Sequence, residues 1–354
     1  MRKASKQFLK DLLLNASPSG YEGPVREVWK KEVATFADEV TVDVHGNAIG
    51  VHNPEGQPRV MLAGHMDELG FQILHISDDG YLYFDTIGGF DLGTVPARGV
   101  QIHTRRGVVN GIIGKKPVHL MAPDERRRVL DKHDLWIDIG AKDGKEAKKA
   151  VEVGDPVTYT PNFTELRHNL VVSRGLDNKM GAYIIAETLR SVSRDKRKCR
   201  SALFAVATVQ EEVGLRGAKT STYSIDPQVG VALDVTWATD HPGMDKRKVG
   251  DIKIGGGPVL TRGANVNPKV FDLLRETAEK QKIPYQLDAA TGGTGTDANA
   301  IQLSRSGVAT GLVSVPQRYM HTPVEALSTV DLDNTVKLLA EFVHVIDAKI
   351  DFTP

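Results

Sequence analysis

The chain has 354 residues, with 45 Lys+Arg against 45 Asp+Glu and a formal net charge of +0, which leaves no basic excess to draw in nucleic acid. Cys199 is the only cysteine, so neither a disulfide nor a thiolate metal site can form. No stretch approaches the roughly 20 apolar residues that a membrane crossing needs, and the basic N-terminus lacks a continuous apolar signal region, which together predict a soluble, cytoplasmic protein without membrane partners.

In chain order, Phe8, Leu9, Leu12 and Leu13 share one face of an opening helix that ends at NASPSGYEG, where breakers cluster. VREVWKKEVATFA predicts a second helix, VTVDVHGNAIGV a strand punctuated by a turn signal at Gly46 and Asn47, and PRVMLAGHMD a buried strand. From Gly70 to about Phe163, short runs such as FQILHI, YLYFD, GVQIHT and GVVNGIIG alternate with Gly, Asp and Pro turns, the pattern of a small β-barrel or sandwich. One helical or loop excursion is expected around APDERRRVLDKHDLWIDIG, with DERRR as solvated surface. The α/β rhythm then returns: MGAYIIAETLRSV as a helix, SALFAVATVQ and VGVALDV as strands, KVFDLLRETAEKQ as a helix, VATGLVSVP as a strand, and TVKLLAEFVHVIDAKI as the closing helix.

Alternating strands and helices imply an α/β fold with a largely parallel sheet flanked by helices. The predicted division is a catalytic domain in two parts, 1–69 and 164–354, interrupted by a β-rich insertion at 70–163.

Metal-capable side chains recur where apolar runs end: His65 and Asp67, Asp177, Glu211 and Glu212, Asp234, and His321. In open α/β sheets, ligands bind beyond the carboxyl ends of the strands, so these distant residues can meet. Imidazoles and carboxylates without thiolates suit a pair of divalent ions better than a structural zinc. His65 and Asp67 read either as a structural hydrogen bond or as a ligand oriented by a carboxylate. Asp177 reads as an N-cap or as a bridge between two ions. Glu211 and Glu212 should point apart and do different work. The Gly-rich TGGTGTDANA lacks a phosphate-loop pattern and reads as a backbone-lined pocket. Arg262 is either a charge for an acidic substrate or structural.

The segments SPSGYE, AGHMDELGF, RGLDNKMG, QEEVGLRGA, ALDV, GTDANA and HTPVE, in this order along essentially the whole chain, resemble the M42 family of metallo-aminopeptidases, which includes glutamyl, leucyl and deblocking enzymes and proteins once labelled endoglucanases. The resemblance implies that His65, Asp177 and Asp234 bind one ion and that Asp177, Glu212 and His321 bind the other. It also implies Glu211 as catalytic base and Asp67 as the residue orienting His65. Two divalent ions per subunit (Zn, Co or Mn), an inserted dimerisation domain and homo-oligomers up to a tetrahedral dodecamer are implied as well. Gly175 departs from the alanine expected before Leu-Asp-Asn.

The expected activity is removal of N-terminal residues from peptide substrates by metal-activated water. The alternatives are a two-carboxylate glycosidase, for which adjacent glutamates are poorly spaced, and a metal-stabilised assembly scaffold.

Overall fold

Eight strands form the central sheet, in the spatial order Glu39–Val42, Ala48–His52, Ala202–Thr208, Arg59–His65, Val229–Trp237, Ala309–Gln317, Val259–Gly263, Gln286–Ala290, in a computed structural model that describes residues 1–354. The four middle strands run parallel. Helices cover them, which is why Arg59–His65 and Val229–Trp237 are nearly continuous apolar runs instead of alternating ones. Both outer pairings to this block are antiparallel.

Helix Leu176–Arg194 is buried along most of its length, as expected of a helix that is apolar on most sides. Its contact with the sheet is backbone-close: a Cβ on Gly64 would lie 2.5 Å from the carbonyl carbon of Gly181. Glycine at 64 therefore sets the distance between this helix and the strand that ends in His65. A cluster of 59 buried apolar residues fills the space between sheet and helices.

A second architecture occupies the middle of the chain. Strands Gly70–Ile76, Leu82–Ile87, Leu135–Asp138, Gly107–Lys115, Gly99–Thr104 and Pro156–Tyr159 close into a barrel in that order. Its interior is a separate cluster of 15 buried apolar residues, among them Phe71, Phe84, Ile113, Ile137 and Val157. Inward and outward side chains alternate, as in Leu82 and Phe84 against exposed Tyr83.

Several boundaries differ from the sequence reading. The second helix covers Gly23–Val33, starting earlier because Pro24 suits a first helical turn. The closing helix is Thr329–Val345 instead of 335–350, since the Ser328 side chain caps it by accepting from Val330 N. Within the expected excursion, Leu135–Asp138 is a barrel strand with Leu135 and Ile137 inward, and only short 3-10 turns precede it. A three-stranded sheet of Thr164–Glu165, Leu170–Ser173 and Glu325–Ser328 was not foreseen. No helix is long and apolar enough to cross a membrane. Cys199 is buried and free.

Candidate metal centre

Parallel neighbours deliver most of the site. His65 is the last residue of its strand, in register with Thr208, the last residue of the next. Two residues later, Gln210 takes a positive φ of 55° and turns the chain so that Glu211 and Glu212 face back over the sheet. On the other side of His65, Asp234 lies in Val229–Trp237, paired with Ser314. The strand carrying Ser314 leads to His321, which itself has φ 60°.

Asp177 arrives from a different direction. After strand Leu170–Ser173, Gly175 adopts φ 62°, and Asp177 and Asn178 keep non-helical dihedrals inside the first turn of Leu176–Arg194. A Cβ at 175 would lie 2.6 Å from Glu68 Oε2. The glycine that departs from the expected alanine thus suits both the left-handed backbone and the closeness of Glu68.

The carboxylate of Asp177 sits between the two imidazoles. Its Oδ1 is 3.3 Å from His65 Nε2 and its Oδ2 is 3.3 Å from His321 Nε2. Glu212 Oε1 lies 3.7 Å from His321 Nε2, and Glu211 Oε2 lies 3.7 Å from His65 Nε2. Ligand atoms of His65, Asp177 and Glu212 fall within 4.8 Å of one another, as do those of His65, Glu211 and Asp234. Distance therefore puts Glu211 beside His65 as well, slightly farther than Asp177.

His65 Nδ1 contacts the backbone oxygen of Asp67 at 3.2 Å, with the Asp67 carboxylate slightly farther at 3.4 Å. A proton on Nδ1 directed at that carbonyl would leave Nε2, which faces Asp177, as the nitrogen able to bind a cation in place of a proton. The Asp67 carboxylate is engaged elsewhere: Oδ1 accepts from Glu211 N at 3.1 Å, Oδ2 accepts from Glu212 N at 3.2 Å, and Oδ2 also accepts from Ser19 Oγ at 2.6 Å. Asp67 thus fixes the backbone under both glutamates.

Burial and mutual repulsion resist ionisation of this concentration of acids. Burial pushes Glu211 up to about 10, with His65 opposing and Asp234 and Asp297 adding to the rise. Glu212 and Asp234 are each pushed up to about 8, chiefly by burial, with Asp177 adding to both. Burial also disfavours charge on Asp177, but the hydrogen bonds with His321 and His65 hold it well below its ordinary value. For His65, burial is outweighed by Glu211, Asp177 and Asp67, so its pKa lies well above 6.5. Asp177 raises His321 to about 9. The buried Oε1 of Glu212 and Oδ1 of Asp297 have no hydrogen-bond partner. Carboxylates forced towards protonation around imidazoles that hold an extra proton fit divalent cations, which would replace those protons.

Four site residues had no role in the sequence reading. Ser19 and Glu22 lie in SPSGYE; Glu22 Oε1 accepts from Gly20 N at 2.7 Å and from Gln210 N at 3.1 Å, bracing the turn before Glu211. Asp297, in the segment expected to offer only backbone, is buried, accepts from Thr208 Oγ1 at 2.6 Å and faces the same acids. Glu325 accepts from the amides of Asp177 and His321. Their only signal was membership of motif segments. Arg262 stacks over Phe271, 5.7 Å from the ring centroid.

The model of the family described as M42 glutamyl aminopeptidase matches residues 46–338. A lysyl aminopeptidase of Pyrococcus furiosus is 37% identical, covering 98% of this chain and 99% of the relative. The solved TET aminopeptidase of a marine-sediment Thaumarchaeota archaeon superposes with TM-score 0.94 at 34% identity, covering 98% of this chain and 97% of that one. The TET1 peptidase of Pyrococcus horikoshii, described as assembling into a tetrahedron or a large octahedral shell, gives TM-score 0.85 at 33% identity over 97% and 100% of the two chains.

Proposed function

The chain belongs to the M42 family of aminopeptidases, and from that premise we propose that it removes N-terminal residues from peptides with two divalent ions held by His65, Asp177 and Asp234 on one side and by Asp177, Glu212 and His321 on the other. The observation that carries this reading is the placement of the two Asp177 oxygens, each 3.3 Å from a different imidazole nitrogen. Mixed carboxylate and imidazole ligands accept zinc, cobalt or manganese. When bound, such ions acidify water and polarise the scissile carbonyl.

The residues of the chain supply the rest. Glu211 coordinates neither ion in this reading and stays free to take a proton from the attacking water and deliver it to the leaving amine. Asp67 holds Glu211 and Glu212 through their amides and anchors His65 through its own carbonyl. The unpaired Asp297 oxygen adds negative charge beside Glu211, which supports a buried role next to the base. Adjacent glutamates sharing one backbone clamp do not flank a glycosidic bond, so the glycosidase alternative has no geometric support.

The barrel, residues 70–163, is read as the dimerisation module of a homo-oligomer up to a dodecamer, supported by the assembly described for the P. horikoshii relative and by exposed Val108, Ile112 and Leu120 on the barrel. A single buried thiol is in keeping with a reducing cytoplasm.

Replacing Glu211 with Gln tests the core of the proposal. Turnover of an aminoacyl-arylamide should fall by about 10²–10⁴-fold while two ions per chain are retained. Turnover near that of the wild type would overturn the base assignment.

A further inference from the structure

We propose that Glu325 is a positioning residue that builds one side of the metal centre, the side formed by Asp177, Glu212 and His321, by gripping the backbone of two ligands at once. The inference rests on the ligand assignment given above.

Glu325 opens the strand Glu325–Ser328, which pairs antiparallel with Leu170–Ser173 so that Ser173 and Glu325 are partners. That register sets the glutamate beside the turn leading into Asp177. The side chain is 3% exposed. Its Oε2 accepts from Asp177 N at 3.0 Å, and its Oε1 accepts from His321 N at 3.1 Å.

Both amides need an outside partner. Asp177 lies in the first turn of Leu176–Arg194, where N–H groups have no acceptor within the helix. His321 has φ 60°, a conformation a non-glycine residue holds only when its surroundings impose it. One carboxylate meets both needs, and it ties a residue at the start of a helix to one 144 positions away in a loop, as the numbers 177 and 321 show. The buried cations Arg174 and Lys179 are paired with Glu68; burial and Asp177 push the Glu325 carboxyl above its ordinary value, and its bonds to the two amides and the His321 imidazole oppose that rise.

The grip is one-sided. His65 and Asp234 are set by the strands that carry them, whereas His321 depends on a turn and is 37% exposed at its side chain. Asp67 performs the matching task for the Glu211–Glu212 turn. Asp67 and Glu325 therefore each clamp two amides, and of the two only Glu325 bonds to the His321 backbone.

A glutamine at 325 keeps the size but presents an NH₂ group to one of the two amides, breaking that bond. The experiment is calorimetric titration of the metal-free full chain with Co²⁺, comparing wild type with Glu325→Gln. The expected result is the site that includes His321 weakened at least about 10-fold, the range for losing an outer partner of a ligand, and the other, which shares only Asp177 with it, weakened less, with the metal-free protein still folded by circular dichroism. Two sites unchanged, or two sites weakened equally, would overturn the inference. Wild-type protein that binds fewer than two ions overturns the two-ion reading and this inference with it. If Glu325→Gln does not fold, Glu325→Asp, which keeps the charge but is one methylene shorter, must show the same unequal loss or the inference falls.

Discussion

The chain contains two hydrophobic cores of different kinds, and only one of them makes a site. The larger core lies under a sheet whose middle strands are parallel, so their carboxyl ends all open at one edge, where His65, Glu211, Glu212, Asp234 and His321 gather. The barrel core is antiparallel throughout, so its strand ends are divided between two rims, and none of the proposed ligands comes from it. What the barrel gives the site is a cover: the Gly88–Gly89 turn approaches Glu212 and His321, and a Cβ on Gly88 would lie 3.6 Å from Glu212 Oε2. Parallel topology concentrates chemistry at one edge, whereas a closed barrel leaves its outer surface for contacts with other subunits.

The sharpest way to break that contrast is at Asp177, which belongs wholly to the parallel part. Asp177→Ala removes the oxygens facing both imidazoles. Even losing an outer partner of a ligand lowers metal affinity 10–100-fold, so this change should lower it by more than about 100-fold at both positions and take activity to background. Metal content after dialysis, read with circular dichroism for the fold, checks it; wild-type content would refute the bridge.

The seam between the cores is charged instead of apolar. Glu68, two residues before the first barrel strand, pairs with Arg174 and with Lys179, the latter at 2.8 Å, and all three are almost fully buried. Glu68→Gln leaves two buried cations without their partner and should destabilise the chain by about 3–5 kcal/mol in denaturant unfolding. The pH dependence has a definite sign. Burial disfavours the Glu68 charge, but Arg174 and Lys179 override it and lower the folded pKa below 4.5. Its contribution is therefore full above pH 4.5 and is lost as pH falls through the folded value, and this acid limb should vanish in the variant. Burial lowers Lys179 to about 8 from 10.5, with Glu68 opposing. Between those values the unfolded chain holds the extra proton, so stability rises with pH there, and the rise should begin at lower pH without Glu68. An unchanged acid limb in Glu68→Gln would show that the seam does not carry this linkage.

Much of the α/β part was legible because its signals are local. Apolar runs ending in His or Asp marked the strand end at His65 and the site residue Asp234, although its strand continues to Trp237, and the turn before Lys179 marked Asp177. The bracing residues were not legible. Ser19, Glu22 and Glu325 each make a hydrogen bond to a group 48, 188 and 148 positions away, respectively, and no periodicity encodes such partners. His321 alone reads as an ordinary loop histidine, since its position depends on a backbone conformation that a histidine rarely takes up. Leu135–Asp138 was hidden for another reason: four residues after charged turns are too short for alternation to stand out.

The smallest effect on folding should come from the outer face of the barrel, and it tests the other half of the contrast. Ile112 is 61% exposed and Val108 is 53% exposed on the same strand, Gly107–Lys115, an arrangement that water disfavours and a second subunit would cover. Because neither side chain contributes to the barrel interior, Ile112→Ser combined with Val108→Ser should change unfolding free energy by no more than about 0.5 kcal/mol per position. Sedimentation velocity should nevertheless show smaller species than the wild type, with Co²⁺ uptake per chain unchanged. Intact assembly would place the subunit contact elsewhere. Loss of metal along with assembly would mean that the barrel shapes the site as well as covering it, and the division of labour between the two cores would have to be abandoned.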